Sequence, residues 1–213
     1  MNLELIEQET ARALRMGCRS FQVHRFGNTQ VEHNERLVRW AEFPRHARVM
    51  DMGSGVGEFA RTARRIDPSL DFYLVNLSLM QLRESPEFEC YYGSFLDVPQ
   101  PDASVDAITF LFSIGHELHT SAMEEAARLL RSGGILFIYD MVRTHGTNES
   151  MASVDYTVHP RSHMESLADL HGFRLDFYLE PYDDGLYGRF LLGQHFDEVF
   201  DGTKAAIWRF IKR

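Results

Sequence analysis

Apolar positions fall into two rhythms along this chain, and the alternation between them outlines the fold. Short, mostly apolar runs at 49–52, 72–77, 88–92, 105–112 and 135–139 have the length and the β-branched and aromatic content of buried strands. Between them come stretches with helical spacing: Phe59, Ala60, Ala63 and Ile66 on one face, then residues 79–85, then 121–130. Strand, helix and strand joined by short connections predict a mostly parallel sheet with right-handed crossovers and helices on both faces, an α/β Rossmann-like fold.

The flanking segments read differently. Residues 2–16 predict an amphipathic helix, with Leu3, Ile6, Ala13 and Leu14 opposite Glu4, Glu7, Gln8 and Arg12. Gly17 ends it, residues 18–29 read as a polar and aromatic loop, and 31–41 as a second helix with Leu37, Val38 and Trp40 as packing residues. Residues 131–134 (Arg-Ser-Gly-Gly) are expected to cap the 121–130 helix through glycine. Residues 140–157 read as polar and irregular, and 160–170 as a helix stopped by Gly172. Strands follow at 173–179 and 203–212, with a short helix at 189–200 between them. A single domain over 1–213 follows, divided into a helical N-terminal cap (1–45) and a Rossmann-like core (46–213).

Composition narrows the function classes. At 44% hydrophobic and 25% charged residues the chain can bury one sizeable core. A net charge of −9 opposes an extended nucleic-acid surface, because phosphate binding draws on Lys and Arg. Arg outnumbers Lys, so a small-anion site is expected to use Arg. Cys18 and Cys90 lie in different elements without metal-ligand spacing, and the N-terminus carries Glu4, Glu7 and Glu9 rather than a basic flank and apolar run. The expectation is a cytoplasmic protein with no membrane span, acting on a small molecule, with a homo-oligomer left open.

The chemistry concentrates at Asp51-Met-Gly-Ser-Gly-Val-Gly57, where a strand meets a helix. Such a turn exposes backbone N–H groups and a helix N-terminus to a nucleotide. A dinucleotide fingerprint would place its third glycine at Glu58, so an NAD-linked reductase fits poorly. The acid followed by Gly-x-Gly-x-Gly resembles motif I of the class I S-adenosylmethionine (SAM)-dependent methyltransferases. That resemblance implies SAM as cofactor and a seven-stranded sheet whose seventh strand runs antiparallel, which suits the closing strand pair. It implies cofactor contacts from Asp51, Gly53, Ser54, Gly55 and Gly57, with Asp51 ordering the methionine end through its ammonium. Asn76, Leu77 and Gln81 would serve at the end of the second strand, and Ser94 and Phe95 beside the adenine. Asn76 can pair with ribose hydroxyls, without the charge an acid would bring.

Three further segments, Thr29-Gln-Val-Glu32, Val75-Asn-Leu-Ser-Leu-Met-Gln81 and Val158-His-Pro-Arg-Ser162, resemble the geranyl diphosphate 2-C-methyltransferase family and its prenyl-diphosphate relatives. The resemblance implies methylation of an alkene carbon, with loss of a proton and a grip on the diphosphate, commonly with Mg²⁺. Where that family carries an acid at the end of the fourth strand, this chain carries Phe112; Glu117 or His116 would then be the base. For the anion, Arg161 and His159 are the first choices, then Arg25 and His24, with Tyr156 beside them. Phe21, Phe26, Phe95, Phe112 and Tyr156 are candidate aromatic faces for a cation. His116-Glu-Leu-His119 lacks the spacing of a helical zinc pair, and no protein metal site is expected. Methylation of oxygen or nitrogen in another metabolite, and SAM binding without catalysis, stay open.

Overall fold

The computed structural model describes residues 28–116, 119–144, 150–151, 156–180 and 203–213. The expected helices at 2–16 and 189–200, and most of the 18–29 loop, lie outside them. Helix α1 (Asn28–Ala41) leads into β1 (Arg48–Met52), α2 (Glu58–Ile66), β2 (Asp71–Asn76), the single turn α3 (Leu79–Leu82), and strands β3 (Glu89–Tyr92) and β4 (Val105–Leu111). A 3₁₀ turn (Ile114–His116), α4 (His119–Leu129), β5 (Leu130–Arg143), the two-residue strands β6 (Ser150–Met151) and β7 (Tyr156–Thr157), α5 (Arg161–Leu170), β8 (Phe173–Leu179) and β9 (Thr203–Lys212) complete it.

Seven strands form one sheet in the order β3-β2-β1-β4-β5-β9-β8, and β6 pairs with β7 apart from it. The pairs β3·β2, β2·β1, β1·β4 and β4·β5 are parallel, whereas β9 lies antiparallel to both β5 and β8. Because side chains alternate across a strand, the two faces have separate cores. Met50, Met52, Ile108, Phe110, Leu136 and Ile138 pack with Ala122 and Ala126 of α4 and Met164 and Leu167 of α5. Val49, Leu74, Ala107, Phe137 and Tyr139 pack with Leu37 and Ala41 of α1 and Phe59 and Ala63 of α2. Each large side chain so enclosed stabilises the fold by about 1.5–3 kcal/mol. A one-residue slip of β1 would put the Asp51 carboxyl among Met50 and Met52's aliphatic neighbours, so the register is strongly specified.

Four expectations need correction. The second helix starts three residues before position 31, at Asn28. The helix expected at 79–85 is only one turn long, and Ser78 caps it by accepting from the Gln81 N–H. Residues 131–134 are not a separate cap: β5 already begins at Leu130, and a register shift against β4 between Val105 and Ala107 absorbs them. The carbonyls of Arg128 and Leu129 instead accept from the N–H groups of Ala103 and Ser104, and the Lys212 ammonium donates to Ala127 and Leu130. Finally, 140–157 is less irregular than its polarity suggests, since β5 continues to Arg143 along the whole of β9. Beyond Tyr139, where β4 ends, β9 still pairs with β5 on one side and Arg143 bridges Pro160 on the other, so backbone pairing holds this stretch despite its polar side chains.

Helix α1 is an integral layer of the core. Leu37, Val38 and Ala41 are buried, and the Arg209 guanidinium of β9 donates to the Trp40 carbonyl at 2.9 Å while pairing with Glu42 and Asp176.

Candidate active site

The C-terminal ends of β1, β2, β4 and β5 meet at one edge of the sheet, where the strand order reverses and α/β proteins bind ligands. The β1–α2 turn occupies that edge. Gly53, Gly55 and Gly57 all have positive φ, at 78°, 57° and 74°. A Cβ on Gly53 would stand 2.5 Å from the Ser113 Cβ, so the turn can approach the segment after β4 only without a side chain. Among the described residues, no heavy atom lies within 4 Å of where a Gly55 Cβ would be, so none of them fills the space beside its positive-φ face.

Hydrogen bonds tie the turn down from three sides. The N–H groups of Gly53 and Ser54 donate to the Val75 carbonyl at 2.8 and 3.1 Å. Asn76 donates through Nδ2 to the Gly55 carbonyl at 2.9 Å and to Gln81 Oε1 at 2.7 Å. The Ser113 hydroxyl donates to the Met52 carbonyl at 2.6 Å. Behind the turn, Arg61 and the Ser85 hydroxyl both donate to the Val56 carbonyl at 2.7 Å, and Arg61 pairs with Glu58 and Glu87. A loop fixed at Val56, Gly55, Ser54 and Gly53 costs little further ordering when a ligand arrives.

Two polar atoms of this rigid turn stay buried without a hydrogen-bond partner among the described residues: Oδ2 of Asp51 and Oγ of Ser54. Asp51 is 1% exposed; its other oxygen accepts from the Thr109 hydroxyl at 2.7 Å, and burial pushes the carboxyl up to about 7. Other buried polar atoms of the chain share this condition, but these two lie at the ligand-binding edge of the sheet, where a bound molecule can supply the missing partners. SAM fits them: an ammonium can answer Asp51, and a backbone passing within reach of Gly55 meets no Cβ.

The other sequence-predicted cofactor residues are placed as follows. Leu77 is half-buried just beyond β2, and Asn76 and Gln81 form the latch described above. Ser94 is buried, its hydroxyl accepting from the Leu96 N–H at 3.1 Å. Phe95 is enclosed in the core, edge-on to Phe110 at 5.2 Å.

Of the expected substrate and catalytic residues, the structure describes Phe112, Arg161 and His159, and they fall in two separate clusters. Phe112 follows β4 with a left-handed backbone, φ 52°, and its N–H donates to the Tyr139 carbonyl at 2.8 Å. Its ring stands edge-on to Tyr139 at 4.7 Å, and His33 of α1 lies against the far side of that pair, 5.1 Å from the Tyr139 ring. Burial, then Arg36, brings His33 down to about 4, so its imidazole is neutral. The Arg161 guanidinium lies 3.8 Å from the Tyr178 ring and pairs with Glu165 at 2.6 Å. His159 stacks on His163 at 3.9 Å and meets His119 edge-on at 4.6 Å. Burial, then the two neighbouring imidazoles, lowers His119 to about 3. Glu117, Arg25, His24, Phe21 and Phe26, and the side chains of His116 and Tyr156, lie outside the described residues.

Sequence reasoning passed over Thr109, Ser113, Arg61 and His33, and weighed His119 only as half of a zinc pair. Thr109 carried a usable signal, being the lone hydroxyl within the apolar 107–112 run; the others depend on contacts remote in sequence.

Comparison with known proteins adds the following. Residues 50–138 match the family model described as a methyltransferase domain. The chain is 27% identical over 151 residues to sarcosine/dimethylglycine N-methyltransferase of Aphanothece halophytica, covering 66% of this chain and 52% of that protein. It therefore spans about half the length of that curated relative. It superposes on geranyl diphosphate C-methyltransferase from Streptomyces coelicolor A3(2), solved with Mg²⁺, geranyl diphosphate and S-adenosyl-L-homocysteine, with TM-score 0.74 and 18% identity over 89% of this chain and 80% of that one. It also superposes on the [4+2]-cyclase SpnF, with TM-score 0.71 and 16% identity over 85% and 80% of the two chains. One backbone architecture thus serves more than one chemistry.

Proposed function

From the premise that the chain carries a methyltransferase domain on the class I fold, we propose that it transfers a methyl group from SAM to a small molecule. We place the acceptor at an alkene carbon of a prenyl diphosphate of isopentenyl or geranyl type. The observation that carries the cofactor half is the partnerless, buried Oδ2 of Asp51 beside the open face of Gly55. When bound, SAM supplies a methyl group activated on a positively charged sulfur.

The chain's own residues then bind, orient and exclude water. Asp51 takes the ammonium, the Gly53–Gly57 turn passes under the cofactor, and Asn76 and Gln81 hold the turn against the end of β2. Phe112 and Tyr139 offer aromatic surface to a positively charged acceptor carbon, and an aromatic quadrupole stabilises a cation without capturing it. With Phe112 in the position of the family's acid, the proton falls to Glu117 or His116 in the turn after β4. Arg161 and His159, with Arg25 and Tyr156, are the anion grip in this reading. Among the described residues no three His, Cys, Asp or Glu side chains are grouped to hold a metal. In this reading Mg²⁺ enters as the counter-ion of the diphosphate. The three prenyl-type segments support this acceptor, as does the resemblance in fold to the Streptomyces enzyme. In this reading the chain acts in the cytoplasm as one domain.

A second reading, methylation of nitrogen or oxygen in another metabolite, is favoured by the likeness to the sarcosine/dimethylglycine enzyme. Calorimetry with SAM tests the cofactor. Mass spectrometry of products from a panel of prenyl diphosphates, with and without Mg²⁺, beside glycine-derived amines tests the acceptor. A methylated amine with untouched prenyl diphosphates would replace the first reading by the second, and SAM binding with no product would favour a non-catalytic role.

A further inference from the structure

The two oxygens of Asp51 are in unlike situations. Oδ1 is held by the Thr109 hydroxyl on the neighbouring strand, where the register sets Asp51 directly beside Thr109 on one side and Leu74 on the other. Oδ2 is equally buried and has no hydrogen-bond partner among the described residues. The face it shares is apolar: Leu74 from β2, Ala107 from β4, Phe137 from β5, and Phe59, Ala60 and Ala63 from α2. The titratable and charged groups described from the elements of this layer are the Tyr139 phenol from β5, the neutral His33 imidazole from α1 with Arg36 beside it, and the Arg209 guanidinium from β9, in the same lateral row through Thr109 and Phe137. Arg209 is already paired with Glu42 and Asp176 and donates to the Trp40 carbonyl, so no described side chain donates to Oδ2 of an ionised Asp51.

We propose that Thr109 is a positioning residue for the cofactor: by holding Oδ1 it leaves Oδ2 for the ammonium of SAM, and the Asp51 carboxyl releases a proton to solvent as that ammonium arrives. The proposal rests on the SAM reading above. The carboxyl O–H bond breaks, its proton passes to the buffer, and the ammonium keeps its three protons, so that a buried ion pair replaces a buried neutral acid. Burial holds the Asp51 carboxyl near 7, and the Thr109 hydrogen bond pulls in the opposite direction. A group that must lose a proton for the ligand to bind makes affinity rise with pH until the free protein has already lost it. Below about 7 the affinity for SAM therefore climbs by up to about tenfold per pH unit, and above it the dependence on this group vanishes. Removing the Thr109 hydroxyl raises the carboxyl further and moves the curve to higher pH.

The test is calorimetric titration of the full chain with SAM from pH 6 to pH 8.5, in two buffers of different ionisation enthalpy at each pH. The expected result is close to one proton released per SAM bound at the acid end and close to none at the alkaline end. Thr109→Val is expected to shift the affinity profile upward by about one pH unit. It should bind several-fold more weakly than wild type near pH 6.5 and approach wild type at pH 8.5, and Thr109→Ser should restore the profile. Binding without proton release at any pH overturns the proposal, as does a Thr109→Val defect of the same size at every pH, which would mark the hydroxyl as packing alone. The wild-type proton count decides even if Thr109→Val fails to fold. No binding of SAM by wild type at any pH would overturn the functional reading beneath the proposal.

Discussion

The two halves of the cleft edge differ in how their polar groups are satisfied. In the β1–α2 half Asn76, Ser113, Arg61 and Ser85 tie the carbonyls of Gly55, Met52 and Val56, while two side-chain atoms, Asp51 Oδ2 and Ser54 Oγ, have no described partner. In the half built from β4, β5 and α5 the described side chains have met one another: Phe112 with Tyr139, Arg161 with Glu165 and Tyr178, His119 with His159 and His163. A rigid frame with unmet hydrogen-bonding capacity is preorganised for one ligand. A set of groups already in contact must exchange those contacts to bind another, so the first half declares its ligand and the second only limits it.

The largest expected effect breaks this contrast at its source. Asp51→Asn removes the charge that answers an ammonium, and we expect SAM affinity to fall by about a hundredfold or more in calorimetry, the order of losing one partner of a buried charge pair. The same variant should melt at a higher temperature than wild type without ligand at pH 8. The sign follows from linkage: an acid near 3.8 in the unfolded chain and near 7 in the fold contributes stability that is complete below about pH 4 and lost as pH rises through 7. At pH 8 the wild-type fold carries that loss and the amide does not. A drop in melting temperature together with unchanged affinity would refute the assignment.

Comparing two glycines sharpens the contrast within the turn. Gly53→Ala places a Cβ 2.5 Å from Ser113 at φ 78°, and should cost about 2–4 kcal/mol of stability by denaturant unfolding, from strain and overpacking together. Gly55→Ala meets no atom, so it should cost only about 1 kcal/mol for its φ of 57° while weakening SAM by roughly tenfold, because its Cβ enters the space left for the ligand. Equal effects of the two on both measurements would remove the distinction between a frame position and a ligand-facing one.

In the second half the effects should be smaller. Arg161→Ala is expected to raise the KM for a prenyl diphosphate by about tenfold with little change in kcat, since Arg161 must leave Glu165 to reach an anion. Glu165→Gln, which removes that competition, should lower the KM severalfold. If neither substitution alters KM, the anion is gripped elsewhere. Smallest is a pH effect: His119, near 6.5 unfolded and about 3 in the fold, contributes stability that is present above 6.5 and lost as pH falls below it. Between pH 6.5 and 5 that loss is about 1 kcal/mol per pH unit. His119→Gln should flatten this acid limb of thermal denaturation measured at those two pH values, and an unchanged limb would show that the ring is not buried neutral.

The cofactor half was largely legible in the sequence because its determinants are local. The strand, the acid, the glycines and the helix occupy residues 48–66 without interruption, and each has a backbone reason to be where it is. The role of Asn76 was legible only in outline: its place at the end of β2 follows from the strand pattern, but its bond to the Gly55 carbonyl does not. The second half was poorly legible. Phe112 was expected to end a strand, whereas it stands outside it in a left-handed conformation. Arg161 was expected at an anion site, whereas a carboxylate one helical turn away pairs with it first. His33 gave no signal, because a histidine in an amphipathic helix reads alike whether its ring meets water or Tyr139.

By itself the amino-acid order determined the alternation of strands and helices, the strand pair that closes the sheet, and the glycine turn with its acid, since periodicity, backbone freedom and turn chemistry are properties of neighbouring residues. Only the tertiary structure decided that Thr109 would take one oxygen of Asp51 and leave the other, and that Arg161 would lie over the Tyr178 ring. Those outcomes depend on which strands become neighbours and on how completely water is excluded between them. Burial is what turns an ordinary carboxylate into a group awaiting a cation.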